Sequence, residues 1–219
     1  MFIDDLDSPA IGRAGVLLFS GGADSTLLAH ALIQRGKAVT ALSIDYPGRP
    51  AAETERADRI GRKIGFADRV TIGLNLPWRA QKGEPGTLNE GWFPHRNLMF
   101  LSIARHVAEI RKLSFVSAGY ARTDGIVFTD ATPDFIRSFD ALASLSSGQK
   151  TADGEVDFVV PFFEKDAFFE SEARRFPALP ALLAGTWSCW RDGPEPCGVC
   201  AACREREAYF PAAELAART

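Results

Sequence analysis

Two groups of residues in this chain have the types and spacing to do chemistry. The first is Ser20-Gly21-Gly22-Ala23-Asp24-Ser25. It stands between the apolar run Ala14-Gly15-Val16-Leu17-Leu18-Phe19 and a segment from Thr26 to Ile33 with helical apolar spacing, closed by Gly36. Adjacent glycines let the backbone turn tightly and bring its N–H groups close to a ligand. The amides and positive dipole end of a starting helix favour an anion, and two serine hydroxyls add donors. The stretch therefore reads as a cradle for pyrophosphate, although the lysine and spacing of G-x-x-x-x-G-K-[ST] are missing. A lone Gly-Gly pair would suit an ordinary strand-to-helix turn equally well. The full pattern S-G-G-x-D-S at the first strand–helix junction favours the nucleotide.

The second group is Cys189, Cys197, Cys200 and Cys203, spaced C-x7-C-x2-C-x2-C, which are all the cysteines of the chain. Four thiols with none left over allow two disulfides or one metal. Two C-x2-C steps that share a cysteine gather three sulfurs, and Cys189 completes a tetrahedron around Zn²⁺. Gly198 suits the turn of such a knuckle, and Arg191, Arg204 and Arg206 are placed to offset the thiolate charge. An iron–sulfur cluster and a redox dithiol remain as alternatives.

Alternating strand and helix patterns must position these groups. Strands are predicted at Ala14 to Phe19, Lys37 to Asp45, Arg69 to Leu74, Phe115 to Gly119 and Val156 to Pro161. Helices are predicted at Ala51 to Ile64, Arg96 to Arg111, Pro133 to Leu145 and Lys165 to Phe176, besides the one after the glycine loop. Segments 77–94 and 125–132 carry no assignment. Strands alternating with helices imply a Rossmann-like α/β fold, a parallel sheet with helices on both faces. Ligands in such folds sit at the carboxyl ends of the strands, so Ser20 to Gly22, Asp45-Tyr46, Gly119-Tyr120 and the stretch after Pro161 should line one crevice. Adenine is expected toward Ser43-Ile44-Asp45.

With 219 residues, 46% hydrophobic and 24% charged, one large domain (1–185) is expected, followed by a metal-binding segment with a C-terminal helix packed on it (186–219). A net charge of −3 gives no electrostatic case for nucleic-acid or anionic-membrane binding as the main activity. No apolar run approaches the roughly 18 residues that span a bilayer. The acidic start Met1-Phe2-Ile3-Asp4-Asp5-Leu6-Asp7 is unlike a secretory signal, so a cytoplasmic location is expected. There disulfides are rare, which favours metal for the cysteines.

The S-G-G-x-D-S loop resembles the signature of the PP-loop ATP pyrophosphatases. Together with the cysteine tail it makes the chain similar to the 7-cyano-7-deazaguanine synthases of queuosine biosynthesis, from about Gly15 to Phe210. His95-Arg96-Asn97-Leu98-Met99-Phe100-Leu101-Ser102-Ile103-Ala104 looks like that family's G-R-N-L-I-F-L-S-I-A helix. Ser188-Cys189-Trp190 with Cys197-Gly198-Val199-Cys200-Ala201-Ala202-Cys203 looks like its zinc segment, and Lys165 falls where the family keeps a lysine. The resemblance implies an ATP-dependent carbon–nitrogen ligase that adenylates the carboxylate of 7-carboxy-7-deazaguanine. Ammonia then displaces AMP, and a second activation dehydrates the amide to a nitrile. It implies phosphate binding by Ser20, Gly21, Gly22, Ala23 and Ser25, with Asp24 serving Mg²⁺ or the loop. Arg96 and Lys165 supply positive charge, Tyr46, Tyr120 and Asp130 bind substrate, and the four cysteines hold one structural Zn²⁺. A homodimer is expected.

Two stretches depart from the family. The turn commonly read as D-Y-G-Q-R-H is here Asp45-Tyr46-Pro47-Gly48-Arg49-Pro50. The loop commonly read as S-G-Y-P-D-C-R-P is here Ile126-Val127-Phe128-Thr129-Asp130-Ala131-Thr132-Pro133. The activating half of the site is kept and the acceptor half is rebuilt. This leaves open a paralogue that transfers the activated acyl group onto a protein or nucleic acid, and a non-enzymatic nucleotide-binding subunit of a larger complex. A tRNA-thiolating PP-loop enzyme is a weaker rival, because it needs a cysteine free to carry sulfur.

Overall fold

The computed structural model describes residues 1–75, 94–146 and 156–210. Its parallel sheet has the order β1-β6-β5-β2-β3-β4, formed by Phe2–Ile3 (β1), Ala14–Leu18 (β2), Ala38–Asp45 (β3), Asp68–Gly73 (β4), Phe115–Ser117 (β5) and Asp157–Val159 (β6). The chain builds outward from β2 through β3 to β4, then crosses back to lay β5 against the other side of β2. That reversal opens a crevice between the carboxyl ends of β2 and β5.

Alternation along the strands sends side chains to two cores. Leu17, Val39 and Ala41 pack with α1 (Ala23–Gln34) and α2 (Ala51–Ile64). Val16, Leu42 and Ile44 pack with α3 (Arg96–Ile110) and α5 (Pro133–Ser146) on the opposite face. Helix α1 is apolar on nearly every side because it lies between the sheet and other helices; Leu27, Leu28 and Leu32 are fully buried. Truncating any of them to alanine should cost about 2–5 kcal/mol. Gly36, at φ 74°, ends α1 as expected, its N–H bonded to Ile33 O and that of Lys37 to Leu32 O. Helix α2 buries only Ala57, Ile60, Gly61 and Ile64, one stripe at helical spacing.

The sequence pattern misses several elements. Strand β1 is two residues long and pairs only through Phe2 opposite Phe158 and Ile3 opposite Val159. A short helix, α4 (Asp124–Val127), occupies part of the unassigned 125–132 stretch. Thr132 caps α5 by accepting the Phe135 N–H at 3.2 Å. After α6 (Lys165–Arg175) come α7 (Leu179–Ala184) and α8 (Ala201–Tyr209), the latter carrying Cys203. Of the other unassigned stretch and the C-terminal segment, residues 77–93 and 211–219 lie outside the described residues. Edge strand β4 is dressed with ion pairs, Asp68 to Arg111 and Arg69 to Asp58.

Candidate active site

Ser20 to Asp24 carry the chain from β2 into α1. Gly21 adopts φ 85°, and a Cβ there would lie 2.5 Å from Ala57 Cα, so the turn needs glycine for both its conformation and its space. Ser20 Oγ accepts the Gly22 N–H at 3.1 Å and lies 3.2 Å from Ser25 Oγ. Ser25 donates to Gly22 O at 3.2 Å. Gly119, just past β5, packs against the Asp24–Ser25 peptide, where a Cβ would stand 3.1 Å from the Asp24 carbonyl carbon.

A cavity of about 290 Å³ opens beside this loop. Leu42 and Ile44 form an apolar wall, Ser20, Gly22, Asp24 and Ser25 another side, and Arg96 and Tyr46 part of the rim. Tyr46 packs on Phe100 at 5.6 Å and accepts a hydrogen bond from Arg96; burial raises its phenol pKa. His95 takes a left-handed conformation (φ 59°) and turns the chain sharply into α3, whose first residue is Arg96. A second cavity of about 210 Å³ adjoins the first, with Arg96, Asn97, Gly119, Tyr120 and Trp190 common to both walls. Phe128, Asp124, Glu205, Ala131 and Ala202 complete it. Burial raises the Tyr120 pKa well above the usual phenol range.

Lys165, beside Asp24 of the phosphate loop, is buried at 4% exposure and lines neither cavity. Its Nζ lies 2.8 Å from Glu205 Oε1, 3.2 Å from Asp24 Oδ2 and 3.8 Å from Asp124 Oδ1. Burial pushes the Asp24 carboxyl up to about 6 despite the nearby ammonium, and Asp124 upward as well. The three carboxylates hold Lys165 protonated above its usual range, outweighing the opposing effect of burial. Asp24 Oδ1 is buried with no hydrogen-bond partner.

Three further expected residues, Ser43, Asp45 and Asp130, fall elsewhere. Ser43 gives its hydroxyl to Phe19 O at 2.8 Å, and Asp45 is exposed; neither lines the cavity, because Leu42 and Ile44 occupy the positions of that strand that do. Asp130 lines neither cavity. Its backbone carbonyl accepts from Asn97 Nδ2 at 3.1 Å, and its charge is felt at Tyr120.

Others enter unannounced. Arg49, in the altered turn, has a side chain only 2% exposed. It donates to Ser20 O at 2.7 Å and Ile44 O at 3.0 Å, with Glu53 Oε1 at 3.5 Å, so it ties the phosphate-loop backbone to the end of β3. Burial raises the Glu53 carboxyl. Trp187 and Trp190 of the cysteine segment reach the larger cavity.

The four cysteine sulfurs all lie within 4.8 Å of one another, with Cys197 and Cys203 at 3.9 Å and Cys189 and Cys200 at 4.0 Å. Those separations match the edges, about 3.8 Å, of a tetrahedron whose centre is about 2.3 Å from each sulfur. The backbone N–H groups of Arg191 and Cys197 point at Cys189 Sγ, and that of Cys200 at Cys197 Sγ, each at 3.4 Å. Main-chain amides thus stand at the sulfurs, whereas Arg206 is turned to Thr186 and to Leu183 O. Arg206 nevertheless lies close enough for its charge to interact with Cys203, as the offset expected from sequence requires.

Sheet order, glycine loop and four-cysteine centre define a PP-loop type of α/β nucleotide-binding protein. The sequence matches the family described as "Queuosine biosynthesis protein QueC" over residues 14–214, and the chain belongs to that family. The 7-cyano-7-deazaguanine synthase of Synechococcus sp. (strain CC9605) is 29% identical over 211 residues, 90% of this chain and 92% of that relative. The same enzyme of Gloeothece citriformis (strain PCC 7424) is 30% identical over 205 residues, 88% of each chain. A solved structure of the U34-tRNA thiolase NcsA from Methanococcus maripaludis with its 4Fe-4S cluster superposes with a TM-score of 0.50 at 15% identity, covering 98% of this chain and 75% of that one. That likeness concerns the fold alone. No helix among the described residues is long and apolar enough to cross a membrane.

Proposed function

We propose that the chain activates the carboxylate of 7-carboxy-7-deazaguanine, or a close relative, with ATP and passes the acyl group to ammonia. The observation that carries this reading is the meeting of two cavities at Arg96 beside the phosphate loop. The larger takes ATP, with adenine against Leu42 and Ile44 and phosphates on Ser20 to Ser25. The smaller takes the acid, its flat ring between Phe128 and Trp190 and its guanidine-like N–H edge toward the carboxylate of Asp124. A carboxylate matches two adjacent N–H donors, and charged hydrogen bonds are worth about 1.5–3 kcal/mol. Arg96, common to both walls, draws the acid's carboxylate toward the α-phosphate.

The acid oxygen attacks that phosphorus, the bond to the bridging oxygen breaks, and pyrophosphate leaves. Ammonia then attacks the acyl carbon and AMP departs. In a second round the amide oxygen is activated in the same way, and its loss with the nitrogen's protons yields the nitrile. Loop amides and Lys165 offset the charge that builds on the phosphates. The unpartnered Asp24 Oδ1 suits Mg²⁺, which when bound would polarise the phosphates.

The convergence of all four sulfurs favours a single structural Zn²⁺ over a cluster whose irons would spread them apart. It also commits every cysteine of the chain, against a sulfur-carrying role. A second reading, transfer of the acyl group to a macromolecule, is favoured by Ile126 (84% exposed) and Val127 (39% exposed) in the altered loop.

Mass spectrometry after incubation with ATP, Mg²⁺, ammonia and 7-carboxy-7-deazaguanine tests the proposal. Amide or nitrile with AMP supports it. Consumption of neither ATP nor acid overturns it.

A further inference from the structure

Helix α8 begins at Cys200, its N-cap, and carries Cys203 in its first turn. Two residues on, Glu205 points away from the sulfurs and meets Lys165 at 2.8 Å, with the Thr123 hydroxyl donating to the same carboxylate oxygen at 3.3 Å. Lys165 in turn meets Asp24 of the phosphate loop. A continuous path of short contacts thus runs from the cysteine centre to the loop, through one helical turn, one ion pair and a second ion pair. Arg206, on the same turn, fastens α8 to Leu183 O at 2.8 Å. The helix is therefore held at both its sulfur and its arginine, and Glu205 is presented at a fixed place.

We propose that Glu205 is a positioning residue, and that the four-cysteine centre acts on nucleotide binding by fixing Glu205, which holds the Lys165 ammonium against Asp24 of the phosphate loop. A lysine on its flexible four-carbon stem loses rotamer freedom when it engages a phosphate. An ammonium already anchored has less freedom left to lose, and this is a gain in affinity through preorganisation. The site is also one where position outweighs charge. Removing an anion beside bound ATP should, by Coulomb attraction alone, tighten binding, whereas removing an anchor should weaken it. The two effects have opposite signs, so one measurement separates them.

The inference rests on the ATP-binding part of the proposed function and is independent of which acid is used. Calorimetric titration of the full-length, metal-loaded protein with Mg²⁺ and a non-hydrolysable ATP analogue reads it directly. Metal content and melting temperature are recorded for each variant. For Glu205→Gln, Kd for the analogue should rise about tenfold while metal content stays at the wild-type value. Glu205→Asp keeps the charge but shortens the reach by one methylene, and should lie between the two. Thr123→Val removes a hydroxyl that orients Glu205 from outside α8, and should weaken binding about threefold. This variant also covers the case in which Glu205→Gln fails to fold or to hold metal. Unchanged or tighter binding in Glu205→Gln, or in Thr123→Val where that substitution must stand in, overturns the proposal. Tight analogue binding by wild type without acid turnover would instead overturn the substrate reading and leave this result to stand. A wild type that binds no nucleotide overturns both.

Discussion

The backbone N–H of Trp187 donates to the carbonyl of Gly21 at 3.2 Å, joining the segment that leads into the cysteines directly to the phosphate loop. Trp187 is itself locked, its indole N–H bonded to Cys189 O at 2.9 Å. Metal segment and loop therefore brace one another, and damage to either should register in both.

Elemental analysis of the purified protein should give one zinc per chain, without the visible absorbance of an iron–sulfur cluster. Cys200→Ala, at a fully buried sulfur, should lower zinc content, melting temperature and ATP affinity together. Stoichiometric iron would overturn the zinc assignment.

Asp24→Ala and Ser25→Ala should each abolish ATP turnover with zinc content intact. For Asp24 the sign of the stability effect follows from its carboxyl, raised by burial to about 6 from an ordinary 3.8. The folded state binds the proton more tightly than the unfolded state. The stabilisation is complete below about pH 3.8 and is lost as pH rises through about 6. Wild type free of nucleotide and Mg²⁺ should therefore gain stability between pH 7 and 5 relative to Asp24→Asn. At pH 8 the variant should melt no lower than wild type. A variant that melts far lower at pH 8 would show that the Lys165 pair outweighs the burial.

Gly21→Ala should cost about 2 kcal/mol or more, since the new Cβ meets α2 backbone and φ lies in the left-handed region. In a chain of this size that is a fall of roughly 4–8 °C in melting temperature. ATP affinity should fall as well, because the loop amides turn with the glycine.

Asp124→Asn should weaken binding of the deazaguanine acid about tenfold or more, while Asp130→Asn should change it little, since only Asp124 lines the second cavity. Thr132→Ala should lower stability by about 1 kcal/mol through loss of the α5 cap and leave acid binding alone. A large binding loss in Asp130→Asn would restore the substrate role expected for it from sequence.

What could be read from sequence was local. Ser20 to Ser25 do their work as consecutive residues at one junction, and the cysteines lie within one short span, so spacing alone suggests both centres. The α2 boundaries, Ala51–Ile64, follow directly from the apolar stripe. Arg49 looked like part of a divergent turn; only the fold carries it across to Ser20 O. Glu53 is one of many charges on α2, and its burial beside Arg49 is set by the tertiary fold. Glu205 is hidden in the run Arg204-Glu205-Arg206-Glu207, where nothing marks which charge turns inward. For Ser43 and Asp45 the signal was present: strand alternation that sends Leu42 and Ile44 to one side must send their neighbours to the other.

The ion pairs along β4 bear on how copies of this chain can meet. An edge strand offers unpaired amides and carbonyls to any passing strand, but this one opens on two charged residues, Asp68 and Arg69, fastened to the residue after α3 and to α2. Docking a second sheet there would strip those charges of solvent without supplying new partners. Growth of the sheet into a fibril-like ribbon is disfavoured at that end of the strand, whereas among the described residues the α5 face leaves Leu142 and Leu145 exposed. The dressing of one short strand thus narrows the routes to assembly while leaving the carboxyl ends of the sheet open to ligand.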